Sequence, residues 1–136
     1  FRLEKEYFDN LEDAISKSQI DKENKKNFFK KYQNFLKSIK DLLEQVNTKN
    51  YYVSEVKILF QVHLPKLMEY IDVYVDAIET DKESKSQREE LAKLLEAFTE
   101  KAIWTKDNLN KAQAENLVYK MQALREVVHV KEVNEQ

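Results

Sequence analysis

The sequence predicts an all-α protein, an antiparallel bundle of four to five helices whose long third member is kinked at Pro65. Apolar residues recur at three- and four-residue spacing along almost the whole chain, and β-type alternation is never sustained. The 136 residues also contain no glycine and a single proline, so the devices that break helices are nearly absent. A chain of this length favours one domain with a core large enough to need no staples. Hydrophobic residues at 42% and charged residues at 35% place it outside the disordered and membrane-spanning classes. Zero glycine removes phosphate-cradling loops and dinucleotide fingerprints, and zero cysteine removes disulfide scaffolds and thiolate zinc sites.

The first segment, residues 2–17, places Leu3, Tyr7, Leu11, Ala14 and Ile15 on one thin apolar stripe. Such a stripe predicts a peripheral, loosely docked helix within residues 1–20. Asp21 is positioned as an N-cap for a second helix over residues 22–46. There Phe28, Tyr32, Phe35, Leu36, Ile39, Leu42, Leu43 and Val46 occupy an arc about 120° wide at ~100° per residue. Residues 47–50 read as a turn into a third helix over residues 51–79, whose apolar face is wide enough for the middle of a bundle. Pro65 lacks an N–H and disfavours helical geometry at Leu64, which predicts a kink or one-turn break.

Residues 80–88 form a polar connector, in which Ser86 and Glu89 fit a capping box opening the fourth helix. That helix carries Leu91, Leu94, Leu95, Phe98 and Ala102, and residues 104–110 read as the next turn. A last helix over residues 111–129 is expected to pack Leu117, Val118, Met121, Leu124 and Val128, closing a bundle core of residues 21–129. Residues 130–136 are expected to fray. The chain thus reads as a single helical domain over 1–136, and its start at Phe1 is compatible with a piece excised from a longer chain, a membrane-anchored one included.

With 23 basic and 25 acidic residues the net charge is −2, which gives no global attraction to nucleic acid. Arginine occurs only at Arg2, Arg88 and Arg125, so bidentate reading of bases is not expected, and neither is a sequence-specific nucleic-acid partner. Lysines are arranged more tellingly. Lys22, Lys25, Lys26, Lys30, Lys37 and Lys40 lie opposite the apolar stripe of the second helix with Phe29 among them, a face suited to anionic lipid or another polyanion.

Candidate chemistry is sparse. Glu126 and His129 form the Glu-x-x-His element of di-iron bundles, but His63, the other histidine, has Phe60 three residues before it. The second half of such a site is missing, and no metal is expected. Asp72, Asp76 and Glu79 fall within two turns, where they could bind a divalent cation or form a solvated edge; Lys66 and Glu69 mix the charge there and favour the edge. His63, beside Leu64 and Pro65, is the one weak catalytic candidate, and it would need Ser54 or another hydroxyl as nucleophile. No cofactor is expected.

Residues 59–74, Leu-Phe-Gln-Val-His-Leu-Pro-Lys-Leu-Met-Glu-Tyr-Ile-Asp-Val-Tyr, resemble the signature of the 5-bromo-4-chloroindolyl phosphate hydrolysis (XpaC-like) family. Phe60, Leu64, Pro65, Met68, Ile71, Asp72 and Tyr74 occupy the matching positions, and the resemblance extends in pattern over residues 21–128. The aromatic pair before Leu-Pro is replaced by Val62 and His63, and the threonines after it by Lys66 and Leu67. The resemblance implies a bacterial, cytoplasmic helical domain, membrane-tethered in its full-length form and linked to envelope stress or toxic-anion resistance. It also implies a choice of activities. Phe60, Leu64, Pro65, Met68, Ile71 and Tyr74 are packing residues rather than catalytic ones, which suits a non-enzymatic scaffold with a protein partner. The family name implies instead a phosphate-ester hydrolase, and the lysine face implies peripheral binding to anionic membrane. The sequence leaves oligomeric state open.

Overall fold

The computed structural model describes residues 1–49 and 53–135, with side chains described for 1–48 and 53–129. Among the described residues the protein is all-α. Its helices are α1 (Lys5–Lys17), α2 (Lys22–Lys49), α3 (Ser54–Ile58), a π-helical turn (Leu59–His63), α4 (Leu64–Glu79) and α5 (Lys85–Glu135). The chain divides into two compact units, Phe1–Thr105 and Lys106–Gln136, where the sequence reads as a single domain.

The first unit is an antiparallel four-helix bundle. Its topology follows from a few contacts. Phe8 of α1 packs its ring on Tyr32 and Phe35 of α2, and Lys25 at the start of α2 reaches the carbonyls of Ser16 and Ser18 at the end of α1. Phe28 stacks on Tyr74 of α4 while Phe1 stacks on Phe60 and accepts a hydrogen bond from Asn47, so α2 runs antiparallel to the α3–α4 run. Phe35 meets Phe98 edge-on and Lys31 pairs with Glu96 at 3.0 Å, which places the start of α5 beside α2 in parallel. Tyr32, Phe35, Leu11, Ile15, Ile39, Leu42, Leu59, Leu64, Leu67, Ile71 and Leu95 form the fully buried centre.

Several expectations are corrected. The first helix is not loosely docked: Phe8, Leu11, Ala14 and Ile15 are buried, and α1 packs along α4. Phe8, absent from the expected stripe, is the residue that anchors it. The second helix continues through Asn47 and Thr48 to Lys49, into the expected turn, of which Asn50 lies outside the described residues, as do Tyr51 and Tyr52 at the start of the expected third helix. The expected turn at 104–110 is helical, because none of its polar residues is a glycine or proline able to stop α5. The expected frayed tail is helical through Glu135, and Gln136 lies outside the described residues.

The break ahead of Pro65 takes the form of a π turn. The N–H of Leu64 bonds the carbonyl of Leu59, five residues back. Pro65 has no N–H to continue an i to i−4 ladder, and a wider turn relieves the clash its ring would make with the preceding carbonyls. The wider turn also has a packing consequence. At ~100° per residue, Leu59 and Leu64 would sit about 140° apart on an α-helix; here both are fully buried in the same core.

Asp21 caps α2 as expected, accepting from the backbone and side chain of Asn24. That side-chain bond is the main reason its carboxyl lies below the usual aspartate value. The capping box of α5 is Ser84 with Gln87, two residues earlier than Ser86 with Glu89: Gln87 N–H donates to Ser84 Oγ at 3.1 Å and Ser84 N–H to Gln87 Oε1 at 2.9 Å. The end of α4 is a Schellman motif, with Lys82 N–H bonded to the Ala77 carbonyl and Asp81 N–H to that of Ile78. Asp81 sits at φ 58°, the left-handed position that glycine normally fills. Asp81→Gly is therefore expected to stabilise the unit by about 1 kcal/mol, read as a shifted urea midpoint at constant slope; an unchanged or lowered midpoint would refute this account of the turn.

Candidate functional site

The α4–α5 connector is held by a nearly buried polar triad. Tyr74 Oη donates to Glu83 Oε1 at 2.8 Å, and Arg88 Nη1 donates to the same oxygen at 2.8 Å. Arg88 and Glu83 are only 12% and 16% exposed, so this ion pair is shielded far more than the surface pairs of the chain. Burial, and then the Glu83 carboxylate, push the Tyr74 hydroxyl well above the usual tyrosine value, with Arg88 acting weakly in the other direction. Each member has its charge or hydrogen bond answered by another. The triad ties the connector to α4 and to the start of α5.

His63 ends the π turn, is exposed, and has no hydrogen bond to a described residue; Ser54 opens α3, also exposed. The structure does not bring the two together as a nucleophile and base. Glu126 and His129 are exposed on α5. Asp72, Asp76 and Glu79 line one shallow surface depression beside Val73 and Val75. Among the described residues no group of three or more histidines or carboxylates is placed to hold a metal ion.

The residues of the family-like motif divide by burial. Phe60, Leu64, Met68, Ile71 and Tyr74 are buried, and Pro65 and Asp72 are exposed. Their part in this fold is to seat the π turn and α4 in the core.

The lysine face of α2 is present in part. Lys22, Lys26, Lys30, Lys37 and Lys40 are exposed, whereas Lys25 is half-buried, its ammonium held by the Ser16 and Ser18 carbonyls at 3.1 and 3.0 Å. Phe29 is half-buried too, edge-on to Phe28 and Tyr32, so it belongs to the margin of the core. No described helix is long and apolar enough to cross a membrane.

Two apolar surfaces stand out. In the first unit, Tyr70, Val73 and Ala77 of α4 and Leu91 and Leu94 of α5, together with Tyr74, Gln87 and Glu90, line a mostly apolar groove of about 260 Å³. In the second unit, the row expected in the bundle core is exposed: Leu117 at 58%, Met121 at 61%, Leu124 at 65% and Val128 at 47%. Val118 beside it is 51% exposed. The expectation that these residues pack in the core is overturned, because helical periodicity marks an apolar face but carries no information on whether the chain itself covers it. Surface apolar residues are ordinarily scattered singly, whereas here four share one face of the helix.

No family model, no curated protein and no solved structure matches the chain.

Proposed function

We propose that the chain is a non-enzymatic helical interaction module of an XpaC-like protein, acting as a scaffold in a bacterial envelope or toxic-anion stress response. The observation that carries the reading is the exposed row Leu117, Met121, Leu124 and Val128 on one helix. Leaving four large apolar side chains in water forfeits several kcal/mol that a partner surface would recover. The first unit supports the same reading, since its nearly buried Tyr74, Glu83 and Arg88 triad holds a connector. The envelope and stress setting rests on the resemblance of residues 59–74 alone.

The test is site-specific photo-cross-linking in the cells that make the protein. A photoreactive side chain at Met121 is expected to yield a discrete adduct, and the same group at Tyr119, about 160° away at ~100° per residue, is expected to yield none. Equal yield, or silence, at both positions would overturn the reading. The rival activity is checked with the purified protein on a chromogenic phosphate ester with Mg²⁺, Mn²⁺ or Zn²⁺. No turnover is expected; turnover that His63→Ala abolishes without changing the thermal melt would make the chain a hydrolase instead.

A further inference from the structure

The row on the second unit has the spacing of a coiled-coil seam. Ala114, Leu117, Met121, Leu124 and Val128 follow one another at intervals of three, four, three and four, so Ala114, Met121 and Val128 take the a positions and Leu117 and Leu124 the d positions. At ~100° per residue they fall within an arc about 80° wide. That is narrower than the face a bundle helix turns to a core, and it matches a two-helix seam.

Glu132 takes the next e position beyond Val128, but the charges that flank the seam itself are all of one sign. Arg125 lies about 60° from its centre and Lys111 about 100° on one side, with Lys120 about 80° away on the other. The acids of this stretch, Glu115 and Glu126, lie about 140° and 160° from the centre, on the far side of the helix. Lys111, Lys120 and Arg125 are exposed and have no ion pair among the described residues. Within residues 114–128 the e positions carry Val118 and Arg125 and the g positions Lys120 and Val127, with no carboxylate among them.

From this we infer that the seam takes an amphipathic helix with acidic flanks, a partner bearing Glu or Asp at its own e and g positions. The inference rests on the interaction-module reading and names the partner's chemistry. A second copy of the chain fits less well. Parallel pairing sets Lys120 of each helix against Arg125 of the other, a like-charge contact made twice, and antiparallel pairing of residues 114–128 with themselves supplies no carboxylate to either cation.

The test uses the full chain with two labelled four-heptad peptides, both with Ile at a and Leu at d, one with Glu and one with Lys at every e and g position. Fluorescence anisotropy is expected to show the Glu peptide binding at least about tenfold tighter than the Lys peptide, with the difference shrinking as salt rises. The doubly substituted Leu117→Glu, Leu124→Glu chain is expected to lose the Glu peptide, and Lys120→Glu with Arg125→Glu to reverse the preference. Both pairs are on exposed positions, and circular dichroism checks that the helix persists. Equal affinity for the two peptides, no binding of either, or binding that survives the leucine substitutions would overturn the inference. So would a dimer in sedimentation that the leucine substitutions dissolve, since the seam's occupant would then be a second copy. Each of these outcomes leaves the interaction-module reading to stand or fall on the Met121 cross-link.

Discussion

Phe35→Ala is expected to lower the stability of the first unit by about 3–5 kcal/mol, the largest loss of any single truncation considered. Phe35 is completely buried and its ring is the meeting point of three helices, tilted against Phe8 of α1 and edge-on to Phe98 of α5. Truncation removes its own transfer energy and two aromatic contacts, and leaves a void that three separately anchored helices cannot collapse to fill. Against a total of about 5–15 kcal/mol for a typical domain, the loss is a large share of what holds the unit together. Urea titration followed by Trp104, which lies in the same unit, reads the midpoint directly. Phe29→Ala, at a half-buried ring on the same helix, provides the comparison and is expected to cost clearly less. A cost at Phe35 below about 1 kcal/mol would mean that the helices repack and that the three-way junction is not the keystone of the core.

The second large effect is alkaline unfolding driven by Tyr32 and Tyr74. Burial is the main cause that raises both hydroxyls far above the usual value, assisted by Glu12 and Asp9 near Tyr32 and by Glu83 at Tyr74. Both are also hydrogen-bond donors in the folded state, to the Phe8 carbonyl at 3.2 Å and to Glu83 at 2.8 Å. The unfolded chain releases these protons near a pH of about 10, whereas the folded chain keeps them. Above that pH the unfolded state binds fewer protons, so stability falls as pH rises; below it the contribution is fully present. Each tyrosine adds a slope of up to about 1.4 kcal/mol per pH unit. Urea midpoints measured through this range are expected to fall steeply, and the Tyr32→Phe, Tyr74→Phe double variant to fall less steeply. Because lysines titrate in the same window, the difference between the two curves isolates the tyrosines. Parallel curves would show that neither proton is held by the fold.

Most of the bundle was legible because burial and helical spacing are the same signal. Phe28, Tyr32, Phe35, Ile39, Leu42 and Val46 were expected on one face of α2 and are buried there, and Leu64 and Ile71, expected as packing residues, are buried on α4. Local chemistry was legible where one residue type had one role, as with Asp21 at the start of α2. It was less so at Ser84 and Ser86, two serines two residues apart that each precede a Gln or Glu by three, where only the actual backbone path selects Ser84. Trp104 to Asn110 looked like a turn because polar residues cluster there, yet an exposed helix carries polar residues at little cost. The candidate interaction surface was the least legible. Leu117, Val118, Met121, Leu124 and Val128 were expected to pack in the bundle core, and they are exposed.

The π turn at Leu59–His63 bears on the ancestry of the fold. A π turn holds about one residue more than the α turn it replaces, while the helix on either side keeps its facing. It is the mark an insertion leaves in a helix whose flanks are pinned by a core. Leu59 and Leu64 are such pins, and Gln61, exposed between them, is the kind of residue a lineage can gain or lose there. Homologous chains differing in length by one residue at this point would then share the bundle unchanged, and an alignment that treats the helix as uniform would misplace every residue on one side of it.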